Sequence, residues 1–151
     1  MTKPILIDTN ILVYTCDSGE QERQKLAISL LQQLSRAGCG RLSAQVLPEF
    51  VNVTIRGKTP LLTRAESLIQ ATRLTQTYPI FDLTPSVVLE AARAARDFSL
   101  AFYDAQIWAC AKLNDVPVIF SEDFQDGQTL EGVRFVNPFA SHNDALIDRE
   151  L

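Results

Sequence analysis

Four acidic residues stand where a carboxylate is costly to keep: Asp8, Glu49, Asp104 and Asp123. Asp8 directly follows the apolar run Ile5-Leu6-Ile7, and Asp123 comes a short turn after the run that ends at Phe120. Asp104 opens a stretch that is apolar almost all round, and Glu49 lies in an otherwise apolar segment. No Lys or Arg occurs within two residues of any of them. A carboxylate with buried neighbours needs a compensating positive charge, and the obvious compensator here is a bound cation. All four are oxygen donors, with no thiolate or imidazole in the set, which suits a hard octahedral ion, Mg²⁺ or Mn²⁺, rather than Zn²⁺. Clustered carboxylates with one or two such ions are standard apparatus for phosphodiester hydrolysis: the ion activates a water, holds the phosphate oxygens and stabilises the leaving alkoxide.

The composition narrows the alternatives. The one histidine, His142, sits in a polar C-terminal stretch with no nucleophile to activate beside it, which excludes mechanisms that need two imidazoles. Cys16, Cys39 and Cys110 are far apart and form no Cys-x-x-Cys, so reduced core thiols are expected rather than a disulfide framework or a zinc site. The net charge of −4 runs against a nucleic-acid ligand bound through the whole surface. Yet there are 18 acidic and 14 basic residues, so setting the four carboxylates aside leaves a neutral remainder able to carry a local basic stripe. With 151 residues, 46% of them hydrophobic, the chain has material for the core of one domain. No apolar run approaches the roughly 18 residues needed to cross a bilayer, so a cytoplasmic protein with no membrane partner is expected.

Short apolar runs alternate with helical patterns, the mark of an α/β domain. Strands are expected at Pro4–Ile7, Gly40–Leu42, Ile80–Leu83, Val116–Phe120 and Val133–Val136, giving a mainly parallel five-stranded sheet flanked by helices. A short helix opens at Asn10 and runs to Tyr14. Ser18 and Gln21 have the spacing of a capping box for a helix over Glu20–Ala37, which Gly38 stops. Ser43 is the expected N-cap of the next helix, in which Pro48 either breaks a backbone bond or shows that the helix begins later. Further helices are read over Thr63–Thr77, from Thr84-Pro85 to Phe98, and over Tyr103–Leu113. In such sheets ligands gather beyond the carboxyl ends of the strands, where Asp8 and Asp123 fall.

The segments Leu6-Ile7-Asp8-Thr9-Asn10, Gln45-Val46-Leu47 running into Glu49-Phe50, Tyr103-Asp104-Ala105 and Ser121-Glu122-Asp123 together resemble the four acidic motifs of the PIN-domain family. Within it the chain is similar to the VapC-like toxins of bacterial toxin–antitoxin pairs, and the ending Val136-Asn137-Pro138-Phe139 looks like one subgroup of them. The resemblance implies a PIN-like nuclease domain over residues 1–139, with residues 140–151 as a polar tail. It also implies a Mg²⁺- or Mn²⁺-dependent endoribonuclease with an RNA substrate, neutralised by a cognate antitoxin protein; a homodimer is the other partner considered. By the same similarity Asp8 and Asp104 are the principal metal ligands, Glu49 and Asp123 complete the catalytic cluster, and Thr9, Asn10 and Ser121 lend polar support.

Plainer roles compete for several of these residues. Asp8 and Asp104 are each suited to be helix N-caps, and Glu49 to be an exposed helical residue. Glu122, Asp123 and Asp126 share one loop, and the sequence does not decide which of them faces a metal. A phosphoreceiver-like domain would carry adjacent acids after the first strand and a Lys after the last, whereas Thr9 follows Asp8 and Asn137-Pro138 follows Val136. A phosphatase forming an aspartyl-phosphate would need Asp at position 10, which is Asn. A non-catalytic binding module would have no use for four acids. Arg93, Arg96 and Lys112 read as a solvated face, and Trp108 as core.

Overall fold

The structure, a computed structural model, describes residues 2–151 apart from the side chains of residues 145, 146 and 150. In chain order its elements are β1 (Ile5–Ile7), α1 (Thr9–Tyr14), α2 (Gln21–Ala37), β2 (Gly40–Ser43), α3 (Val46–Ile55), α4 (Arg64–Thr77), β3 (Ile80–Phe81), α5 (Pro85–Phe98), α6 (Phe102–Leu113), β4 (Val118–Phe120), β5 (Thr129–Leu130), β6 (Val133–Val136) and α7 (Asp144–Glu150). A short 3₁₀ turn, Ser141–Asn143, leads into α7. The strands form one sheet in the order β3-β2-β1-β4-β6-β5, parallel throughout except for the edge pair β5–β6. Every residue of β1 and β4 is buried. Neighbouring strand residues point to opposite faces, so both faces of the sheet centre are covered, as a parallel sheet requires. No helix among the described residues is long and apolar enough to cross a membrane.

The sheet has six strands where five were expected. The sixth, β5, is only two residues long and carries no apolar run. It exists because Glu131 (φ 45°) and Gly132 (φ 85°) both take positive φ, the backbone of a tight hairpin turn, and fold Thr129–Leu130 back onto β6. Two capping expectations also change. Helix α2 begins after Glu20 with no side-chain cap, because Asp17 accepts the Gly19 N–H at 3.0 Å in a turn of its own and Ser18 caps nothing. Ser43 is the last residue of β2 rather than an N-cap, and α3 starts at Val46 after Gln45. Pro48 is therefore the third helical residue, in the first turn, where its missing N–H has no intrahelical acceptor to lose.

Elsewhere the local signals act as read. Gly38 ends α2 in the left-handed region at φ 68°. The Thr84 hydroxyl accepts from the Val87 N–H, with Pro85 in the first turn of α5. Helix α6 is buried along Ala105–Ala111, and the Trp108 indole N–H donates to the Leu130 carbonyl at 3.1 Å. Cys16, Cys39 and Cys110 are free thiols, the last two buried. Arg93 and Lys112 are not loose surface charges: both pair with Glu90 and Glu131, and their cationic ends lie 5.9 and 5.2 Å from the Trp108 ring centroid.

Candidate active site

Chain order fixes where the carboxylates meet. From β1 the chain builds β2 and then β3 to one side, and β4 and β6 lie on the other, so the sheet reverses between β1 and β4. Asp8 directly follows β1, and its N–H donates to the Phe120 carbonyl at the end of β4. It is also the N-cap of α1, with Oδ1 accepting the Thr9 N–H at 2.8 Å, while Oδ2 accepts the Ser121 hydroxyl at 2.7 Å. The capping role weighed for Asp8 is therefore one it has, and it leaves Oδ2 to Ser121. Asp8 is 5% exposed, and burial above all pushes its carboxyl up to about 6, with Asp123 and Glu49 adding repulsion.

Glu49 sits in the first turn of α3, aimed by two donors: the Thr9 hydroxyl reaches Oε2 at 2.6 Å and the Gln45 amide reaches Oε1 at 2.7 Å. Asp104 lies in the first turn of α6, behind Ala101 as N-cap, so the capping role considered for it is not the one it has. Its pKa is raised, first by burial and then by Asp123 and Glu49. Asp123 is exposed, and its N–H donates to the Ser121 hydroxyl at 3.1 Å. Asn10 joins the same loop, donating to Ser121 Oγ at 3.2 Å and accepting the Glu122 N–H at 3.4 Å.

The structure also separates the three acids of the β4–β5 loop. Glu122 is held by Arg23 at 2.7 Å and by the Tyr14 hydroxyl. Asp126 clamps the chain end, accepting from the Asn137 N–H, the Asn143 amide and His142. Asp123 is the member electrostatically coupled to both Asp8 and Asp104. It borders an open cleft of about 480 Å³ with Glu49, Thr9, Asn10 and Tyr14.

Two residues with no role assigned from the sequence stand behind Glu49. Gln106 is buried and donates to Gln45 Oε1 at 2.8 Å, and Gln45 in turn donates to Glu49 and to the Tyr103 carbonyl. The available signal was Gln106 itself, a polar residue inside the all-apolar face of α6.

As they stand, no three acidic, His or Cys side chains among the described residues are close enough together to hold a metal ion. The donor set nonetheless fits a hard divalent ion. Asp8 is buried, both its oxygens are positioned by donors, and the groups acting on its charge are carboxylates rather than cations.

Carboxylates carried at the end of β1, on α3, on α6 and in the loop after β4, around the reversal point of a parallel sheet, define an acidic α/β domain. The PIN domain family profile matches residues 5–125, and the chain belongs to that family. No curated protein sequence matches it. Among solved structures the fold is similar to that of the sarcin-ricin-loop-cleaving VapC toxin of Mycobacterium tuberculosis, with a TM-score of 0.64 at 18% identity over 84% of this chain and 97% of that one. It is similar too to a chain of the promoter-DNA-bound VapBC of Rickettsia felis, with a TM-score of 0.67 at 13% identity over 88% and 97%. A toxin–antitoxin complex from Klebsiella pneumoniae gives a TM-score of 0.58 at 21% identity over 89% and 98%.

Proposed function

We infer that this chain is a Mg²⁺- or Mn²⁺-dependent endoribonuclease and acts as the toxin of a toxin–antitoxin pair. The observation that carries the chemistry is Asp8: a buried carboxylate, positioned through both oxygens, with further carboxylates rather than cations around it. The toxin assignment is supported by the family and by the company of VapC and VapBC folds. Asp8 and Asp104 would hold the ion, with Glu49 and Asp123 completing the set. When bound, the ion lowers the pKa of a water and offsets charge on the phosphate.

The chain's own groups do the remainder. Ser121 and the Thr9 N–H fix the plane of the Asp8 carboxylate. Thr9 and Gln45 hold Glu49 through both of its carboxylate oxygens, which sets the direction of the carboxylate. Asp123, exposed at the cleft rim, closes the carboxylate set on the solvent side. Water attacks phosphorus and gives up a proton to solvent while the bond to the 3′ oxygen breaks and that oxygen takes a proton from solvent, leaving 5′-phosphate and 3′-hydroxyl ends with no covalent enzyme intermediate. End analysis of cleaved RNA tests this: fragments that ligate without prior phosphorylation are expected. Cyclic or 3′-phosphate ends would point to a different reaction.

A further inference from the structure

Helix α3 supplies more to the cleft than Glu49. Asn52, Val53 and Arg56, which lie 3, 4 and 7 residues further on, also line it. That is the spacing of one helical face, so a carboxylate, an amide, an apolar side chain and a guanidinium follow each other along a single stripe. Arg56 caps the C-terminus of α3, about 10 Å from Glu49 along the axis at 1.5 Å per residue. It is exposed, and it is the one cation lining the cleft among the described residues. Its place is fixed from behind: the Leu62 N–H donates to the Thr54 carbonyl at 2.9 Å, closing the loop that follows Arg56, and the buried Thr54 and Ser67 hydroxyls bond at 2.9 Å to tie α3 to α4. Val13 and Tyr14 of α1 line the same cleft, the Tyr14 ring also packing with Arg23 and edge-on with Phe139.

A guanidinium with no ion-pair partner among the described residues, beside a net-acidic cluster, has no purpose in holding a metal. It matches instead an anion that lies two helical turns from the reacting centre. We propose that this stripe is a nucleotide subsite for single-stranded RNA. Arg56 holds a phosphate neighbouring the scissile one, while the attached base rests against Val13, Val53 and the Tyr14 ring with Asn52 in reach of its edge. The aromatic and aliphatic walls accept an unstacked base, which a duplex does not offer. The inference rests on the nuclease reading above and adds a substrate-positioning residue to it.

The test is steady-state cleavage, and metal-free binding, of a fluorescent mixed-sequence single-stranded RNA by the wild type, Arg56→Ala, Arg56→Lys and Arg36→Ala. Arg36 is an exposed cation in the last turn of α2, ahead of β2 and outside the cleft lining, and its removal changes net charge equally. For Arg56→Ala, KM and Kd should rise about tenfold with kcat and melting temperature held, and the slope of log affinity against log salt should become shallower by about 0.7. Arg56→Lys should recover part of the loss, and Arg36→Ala should match the wild type. If the wild type cleaves and Arg56→Ala keeps its KM, or if Arg36→Ala loses as much, the subsite is wrong and the nuclease stands. A loss confined to kcat would place Arg56 at the reacting phosphate and also overturn the subsite. A wild type that neither binds nor cleaves RNA removes the nuclease reading and the subsite with it.

Discussion

Asp8 and Asp104 are charged where charge is unwelcome, and their removal has opposite effects on folding and on function. Both pKa values are raised, mainly by burial. Asp104→Asn should therefore leave the metal-free melting temperature unchanged or higher, and Asp8→Asn should behave alike because Asn also serves as an N-cap. In both variants the rise in melting temperature on adding Mg²⁺ or Mn²⁺ should shrink. A drop of several degrees in metal-free Asp104→Asn would mean that the carboxylate is structural. Gln106→Leu should act the other way. It leaves the buried Gln45 carbonyl oxygen without its donor, costing about 1–3 kcal/mol of stability. It also frees Gln45 from its hold on Glu49, so activity should fall roughly ten- to a hundredfold by analogy with lost outer-shell support; wild-type activity in that variant would show that the relay is idle. The candidate carboxylates were legible in the sequence because each lacks a nearby cation among apolar neighbours. The choice between Glu122, Asp123 and Asp126 was not, because it depends on partners far along the chain: Arg23 and Tyr14 for Glu122, His142 and Asn143 for Asp126.

Helix ends that depend on adjacent residues were readable, as at Thr84-Pro85 and Gly38, whereas ends decided by packing were not. Ser43 has the chemistry of a cap, yet β2 carries it past that role into the sheet. The two-residue β5 is a product of the Glu131-Gly132 turn and the closure against Trp108, neither of which leaves a periodic trace. The same corner carries a pH prediction. Arg93 and Lys112 hold Glu90 down to about 2, and its side chain is 19% exposed. Because the folded-state pKa is depressed, this stabilisation is present above the ordinary value of 4.5 and is lost as pH falls from there toward 2. Allowing for solvent screening, it is worth about 1 kcal/mol. Glu90→Gln should lower the melting temperature at pH 7 and match the wild type more closely near pH 2.5, which acid-series thermal melts would show. A gap that stays constant across the series would mean that the ion pairs are not its source. In β2, a Cβ at Gly40 would meet the Tyr78 ring at 2.7 Å, and Tyr78 is itself buried and donates to the Leu31 carbonyl. Gly40→Ala should cost about 1–3 kcal/mol in denaturant unfolding.

Over the whole molecule, topology turns scattered residues into a site. Residues separated by about a hundred positions meet because β1 and β4 are neighbours, and the switch in strand order leaves a crevice above their ends. The alternation of strand and helix made that architecture readable. Strand order itself comes from which faces pack, which no local pattern records. The central claim is that this crevice hydrolyses RNA with a divalent ion held by Asp8 and Asp104. Its most direct test is cleavage of a structured RNA pool by wild type, Asp8→Asn and Asp104→Asn, each with Mg²⁺, with Mn²⁺ and with EDTA. Cleavage by the wild type with either metal, abolished by EDTA and by each substitution, is the predicted result. Cleavage that survives EDTA or both substitutions, or no cleavage by the wild type with either ion, would contradict it.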